Sequence, residues 1–279
     1  VQSVLINWNY NMTDIKNYKL LPTGVDSFTE VISKNKYYVD KTLYLKSVFE
    51  DDGSSVLLFT RPRRFGKTLL MDMFADFLRL NAENPEDTSF QQKLFKDTAI
   101  MGNREFTDRY MGQFPVIFIS LKDIYGATFE IAKGALITLV NKLARTYSFL
   151  QTSSLLNEYD KVDLKNLCSD AFLKAPINQN KLTSAINLIS DCLFRHFRKP
   201  VILLIDEYDV PLAKAATRNY HKNMVDLISA FLGVLKSTPK NTNEGSASIA
   251  KVVITGCLKV AKNSIFTGVN NVVVNTVLD

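Results

Sequence analysis

The sequence predicts an α/β fold, a mostly parallel β-sheet with helices on both faces. Three observations carry that expectation. Short, continuous apolar runs rich in β-formers recur at residues 55–60 (SVLLFT), 114–121 (FPVIFISL) and 201–205 (VILLI), the pattern of strands buried on both faces. Segments of ten residues or more with helical periodicity separate them, as in successive βαβ units. The chain of 279 residues is 46% hydrophobic and 22% charged, which is ordinary globular composition and excludes bulk disorder.

Residues 1–20 read as a lead-in carrying Trp8, Tyr10 and Tyr18, and residues 21–279 as one domain. Helical patterns cover 27–34 and 40–50. The second has Leu43, Leu45, Val48 and Phe49 as its apolar positions, Asp40 or Thr42 as its cap, and Asp51-Asp52-Gly53 as its breaker. The strand at 55–60 leads through a basic loop into a helix over 68–80. There Leu70, Met73, Phe74, Phe77 and Leu78 face one way and Asp72, Asp76 and Arg79 the other. After the strand at 114–121 a long helix is predicted over 128–150, with Ile131, Ala135, Leu139 and Leu143 in register. Another covers 181–197, ended by Pro200, which also opens the strand at 201–205. A helix over 224–235, a polar loop over 236–248, and strands at 251–255 and 271–277 complete the chain. No internal repeat is found.

Several function classes are set aside at this level. The three cysteines, Cys168, Cys192 and Cys257, form no CxxC pair, so neither a zinc ribbon nor a redox pair is supported. His196 and His221 stand apart from them and from each other, which argues against Ser-His-Asp, Cys-His and His-metal chemistry. No apolar run approaches the ~20 residues of a membrane span, and the first twenty residues lack a signal-peptide pattern. A reducing intracellular setting, cytoplasmic or nuclear, is the expectation. The net charge of +6 permits an anionic partner without requiring one.

The chemistry concentrates in two places. Arg61-Pro62-Arg63-Arg64-Phe65-Gly66-Lys67-Thr68 lies between a predicted strand and a predicted helix, the context of a Walker A-type phosphate loop. Backbone amides of such a loop and the following helix N-terminus hold anionic oxygens. Arg63, Arg64, Phe65 and Gly66 would line the nucleotide. Lys67 would reach the β- and γ-phosphates, and Thr68 would offer its hydroxyl to Mg²⁺. The pattern GxxxxGK[ST] would place glycine at position 61, where this chain has Arg61; a plain basic turn is the alternative.

The second place is Val201-Ile202-Leu203-Leu204-Ile205-Asp206-Glu207, a Walker B-like strand ending in two carboxylates. In parallel sheets ligands gather at the carboxyl ends of strands. Asp206 would hold Mg²⁺ and Glu207 would activate water as general base; a helix N-cap is the alternative. Thr255, closing the strand at 251–255, could orient the same water or simply form a Thr-Gly turn. No NKxD-like guanine motif is present, which favours ATP over GTP.

Five stretches in order carry a family likeness: residues 21–28 (LPTGVDSF), 37–42 (YYVDKT), 61–68 (RPRRFGKT), 204–212 (LIDEYDVPL) and 255–266 (TGCLKVAKNSIF). In these the chain resembles the AAA-ATPase-like family, P-loop NTPases related to AAA+ and STAND signal-transduction ATPases and often fused to a PD-(D/E)XK nuclease-like domain. That family uses the RPRRFGK form of the loop. The resemblance implies ATP and Mg²⁺ as ligands, Lys67 and Thr68 as phosphate and Mg²⁺ residues, and Asp206 with Glu207 as the acidic pair. It implies hydrolysis driving a conformational switch, with a helical lid and a nuclease domain expected to lie outside 21–279. The 37–42 stretch is expected near the base or the loop strand. Two alternatives stay open: a nucleotide-sensing interaction module with little turnover, and a DNA-associated module of a mobile or defence element. A protein or DNA partner and homo-oligomerisation are both compatible with these readings, and a membrane partner is not expected.

Overall fold

Strands that are apolar on both faces need partners on both sides, and the chain covers its sheet with two layers of helices. The structure, a computed structural model, describes residues 19–50, 55–174, 179–236, 248–257 and 272–275. Its elements in order are α1 (Phe28–Ser33), α2 (Tyr44–Phe49), β1 (Val56–Thr60), α3 (Lys67–Leu78), α4 (Ser89–Phe95), α5 (Arg104–Tyr110), β2 (Val116–Ser120), α6 (Phe129–Thr146), α7 (Glu158–Cys168), α8 (Asp170–Lys174), α9 (Gln179–Thr183), α10 (Ala185–Phe197), β3 (Val201–Asp206), α11 (Val210–Ala216), α12 (His221–Phe231), β4 (Ile249–Gly256) and β5 (Val272–Asn275).

The strands form one sheet in the order β2-β3-β4-β1-β5, and every neighbouring pair is parallel. Alternate residues of β1 to β4 enter different cores, because successive side chains point to opposite faces; on the edge strand β5, Val272 is buried and Val273 exposed. Val56, Leu58, Leu203 and Ile205 join α6, α7, α10 and α12 on one face. Leu57, Ile202, Leu204 and Val253 join α1 to α5 on the other. That double burial is why the strands read as unbroken apolar runs. The second core is rich in aromatic rings: Phe28, Phe74, Phe77, Phe95 and Phe106 are fully buried there.

The expected elements appear with shifts at their boundaries; the helix expected over 181–197 is divided between α9 and α10 at Ser184, and the ends of the strand expected at 271–277 lie outside the described residues. The helix expected over 40–50 starts at Tyr44 and has no side-chain cap. Asp40 accepts instead from the Thr42 amide (2.8 Å) and hydroxyl (2.7 Å), an Asx-type turn, and from the Ala99 amide (2.7 Å). The face of α6 is rotated by one residue from the expected register. Ala132, Leu136, Val140 and Ala144 are buried while Ile131 is exposed. Helices α4, α5, α7, α8 and α11 have no counterpart among the sequence expectations. Two of them start at asparagine caps: Asn103 accepts from the Phe106 amide (3.1 Å) and Asn157 from the Asp160 amide (2.8 Å). Most of the lead-in, the breaker at 51–53, most of the polar loop at 236–248 and the family stretch beyond Cys257 lie outside the described residues.

Inserting β4 between β1 and β3 brings three strand ends to one level. Thr60 pairs with Gly256, and Ile205 with Ile254, so Asp206 comes beside Thr255. The chain crosses from β1 to the far edge at β2 and returns at β4. The carboxyl end of β1 therefore lies at a change of direction in the strand order, the position where open α/β sheets form a crevice.

Candidate functional site

The basic loop leaves β1 and turns into α3 through two residues with left-handed backbone, Arg64 (φ 68°) and Gly66 (φ 73°). Nothing lies within 4 Å of where a Cβ on Gly66 would sit, so its glycine answers the dihedral and not crowding. The Arg61 amide donates to the Gly256 carbonyl (3.1 Å), which ties the loop entry to β4. Pro62, Arg63, Arg64 and Phe65 are exposed.

Lys67 behaves differently from its neighbours. It is the first residue of α3 and is buried, and its ammonium points back under the loop. It donates to the carbonyls of Arg61 and Pro62, both at 2.9 Å, and lies 3.4 Å from Cys257 Sγ. The loop is thus closed on its own lysine. An anion entering the loop would compete with two carbonyl dipoles for that charge.

Thr68 donates its hydroxyl to Asp206 Oδ2 at 2.7 Å. The other oxygen, Asp206 Oδ1, accepts from the Thr255 hydroxyl. Asp206 has no solvent exposure and Thr255 is buried as well. One carboxylate therefore joins the first turn of α3 to the ends of β3 and β4. Thr255, which the sequence offers either to a water or to a Thr-Gly turn, gives its hydroxyl to Asp206 here. Among the described residues no group of three or more His, Cys, Asp or Glu could hold a metal ion.

Glu207 follows in a left-handed conformation (φ 55°), half-buried. Burial, with the Asp206 carboxylate beside it, pushes its carboxyl above the usual range, and the Lys67 charge works against that shift. The next two residues were not singled out from sequence. The Tyr208 amide donates to the Thr255 carbonyl (3.1 Å), and Asp209 Oδ2 accepts from the Cys257 amide (3.1 Å). Gly256 permits this approach, since a Cβ there would lie 2.5 Å from the Tyr208 ring. The signal was present as an aromatic and an acidic residue, Tyr208 and Asp209, shortly after the strand, and as a glycine after Thr255. Only the sheet order shows that they meet.

Beside Gly66 a cleft of ≈ 170 Å³ runs between Tyr37, Tyr38, Val39 and Lys41 on one wall and Leu69 and Leu70 on the other. The 37–42 stretch thus borders the loop and α3. It is pinned from behind, as the Tyr37 amide donates to Leu20 O (2.8 Å), and the Ile100 amide donates to the Thr42 hydroxyl (3.1 Å). The amides and hydroxyl around Asp40 outweigh its burial and hold its carboxyl below the ordinary value. Away from the loop His196 Nδ1 pairs with the Ser153 hydroxyl (2.8 Å), and the three cysteines form no disulfide. Among the described residues no helix is long and apolar enough to cross a membrane.

A family model described as "Predicted AAA-ATPase" matches residues 22–266. The chain is also similar to an "Uncharacterized protein in vnfD 5'region" from Azotobacter chroococcum mcd 1, with 26% identity over 255 residues. That match covers 91% of this chain and 40% of the relative, so the chain spans well under two thirds of that protein's length.

Proposed function

The chain belongs to the predicted AAA-ATPase-like family, and from that premise we propose that it binds ATP with Mg²⁺ at the carboxyl edge of the sheet and hydrolyses it. The observation that carries the reading is the line Thr68–Asp206–Thr255. It joins the start of the helix after the basic loop to an acidic strand end two strands away. In this reading Lys67 and the amides of Arg63, Arg64, Phe65 and Gly66 take the phosphates. Thr68 and Asp206 fit Mg²⁺, a hard cation that accepts one or two protein oxygens and completes its shell with phosphates and water. When bound it would neutralise phosphate charge. Glu207, raised by burial and by Asp206, acts as general base on water. Thr255 fixes Asp206 in place, and the cleft between Tyr37 and Leu69 takes the base.

A second reading, nucleotide sensing with little turnover, draws on one feature: Lys67 already spends its hydrogen bonds on the loop carbonyls. Calorimetric titration of ATP and GTP, with and without Mg²⁺, on wild type and Lys67→Ala tests the shared premise. The expected result is tighter ATP binding with Mg²⁺, weakened by at least about tenfold in Lys67→Ala, the scale of a lost charge-assisted hydrogen bond. Equal affinity in a folded variant removes the reading. Phosphate release in wild type then separates hydrolysis from sensing.

A further inference from the structure

Asp209 occupies the N-cap position of α11, where an aspartate ordinarily accepts from an amide of its own helix. It makes no such cap hydrogen bond. Its side chain is 3% exposed and reaches across to β4, where Oδ2 accepts from the Cys257 amide at 3.1 Å. Cys257 is also the residue whose sulfur lies 3.4 Å from the Lys67 ammonium. Its neighbour Gly256 accepts the Arg61 amide (3.1 Å), and Arg61 in turn offers its carbonyl to Lys67 (2.9 Å). These contacts close a circuit from the turn after β3, through the end of β4 and the loop entry, to the lysine.

We infer that Asp209 is a positioning residue for Lys67, holding the end of β4 so that Cys257 and the loop carbonyls set where the ammonium rests. The inference rests on the proposed nucleotide reading for its consequence, though not for its geometry. Two further facts agree with it. A Cβ on Gly256 would lie 2.9 Å from Asp209 Oδ1 and 2.5 Å from the Tyr208 ring, so the clamp needs a bare backbone at that point. The Tyr208 amide bonds the Thr255 carbonyl, so two successive residues after β3 grip the end of β4 on either side of Gly256. One grip reaches Thr255, which braces Asp206; the other reaches Cys257, which touches Lys67. Asp206 and Asp209 thereby divide the site between them, the first fixing the Thr68 side and the second the Lys67 side.

The test compares wild type, Asp209→Asn and Asp209→Ala in the full chain, with two readouts. The first is the rate of Cys257 alkylation by iodoacetamide, resolved by mass spectrometry against Cys168 in the same molecule. The second is ATP affinity. Asp209→Ala should raise the Cys257 rate relative to Cys168 by about threefold or more, and weaken ATP by about tenfold, the scale of one hydrogen bond to a charged group. Asp209→Asn keeps an oxygen acceptor and should restore most of both, which a loss of packing alone would not predict. If Asp209→Ala does not fold, Asp209→Ser carries the same expectation. Wild-type alkylation and affinity in a folded Asp209→Ala overturn the inference, as does an Asn variant as impaired as Ala. If wild type binds no ATP, the nucleotide reading fails, while the alkylation readout still decides the clamp.

Discussion

At its first turn α3 sends the Thr68 hydroxyl to a carboxylate on another element, Asp206 at the end of β3. Farther along it presents its own carboxylates to α1: Asp72 Oδ2 accepts from the Phe28 amide (2.6 Å) and Asp76 Oδ2 from the Thr29 hydroxyl (2.8 Å). Both regions satisfy acidic oxygens with donors distant in sequence, Asp206 fully buried and Asp72 and Asp76 half-buried. Their organisation differs. Asp206 is wholly enclosed and receives a hydroxyl on each oxygen. Asp72 and Asp76 lie one helical turn apart on the same face, where like charges repel. The first arrangement holds one carboxylate in a fixed direction at a strand end; the second staples one helix to another and carries an electrostatic penalty. A site and a staple are built from the same residue types, and substitutions tell them apart.

The largest effect is expected at the site. Asp206→Asn keeps the shape and one acceptor but removes the charge that a hard cation prefers. Mg²⁺-dependent ATP affinity should fall by about tenfold or more, while stability changes by less than about 1 kcal/mol, since an uncharged amide is easier to bury. Titrations in Mg²⁺ and in EDTA, with a denaturation curve for each protein, read both quantities. A large stability loss with unchanged Mg²⁺ dependence would make Asp206 a staple like those on α3.

Much of this was legible in the sequence, and the reasons are local. The strands declared themselves through double burial, and the loop through its place between a strand and a helix. Helices such as α4, α7 and α11 were not legible: α4 and α11 have seven residues each, too few to show an apolar period, and α7 is mostly polar, with Leu164 and Leu167 as its buried positions. In α6 nearly every turn holds apolar residues on two adjacent stripes, so period alone could not choose between Ile131 and Ala132. Asp72 and Asp76 read as a solvent face because nothing local tells that α1 lies over them. Thr255 was found as a strand-end residue, but its partner, Asp206, follows from the strand order.

At the staple, Asp72→Ala should cost about 1–2 kcal/mol of stability. Phe28 is the first residue of α1, so its amide has no partner within its own helix, and Asp72 supplies one from α3. Ser27 caps only the Glu30 amide (3.4 Å) and leaves Phe28 to Asp72. Chemical denaturation of the two proteins at neutral pH checks this. ATP affinity should change far less than in Asp206→Asn; an equal loss would mean that the α1 contact sets the geometry of the loop.

The smallest effect should carry the opposite sign. Burial, and then the neighbouring Asp72 charge, raise the Asp76 carboxyl to about 6 from 3.8, against the Thr29 hydroxyl and the Arg79 charge, which lower it. The folded protein therefore holds this proton more tightly than the unfolded chain. Stability from this group is fully present below about pH 4, declines as the pH rises toward 6, and stays reduced above that. Asp76→Asn removes the ionisation and keeps an oxygen for the Thr29 hydroxyl. It should stabilise the protein by about 1 kcal/mol at pH 7.5, roughly 2–4 °C in Tm for a chain of this size. Near pH 4.5 wild-type Asp76 is largely protonated when folded, and most of the gain should vanish. Measuring the difference between variant and wild type at both pH values cancels the titration of groups common to the two. A gain of the same size at pH 4.5 would show that ionisation is not its source, and a loss at pH 7.5 would show that Asp76 works as a charged partner of Arg79 and not as a penalised one beside Asp72.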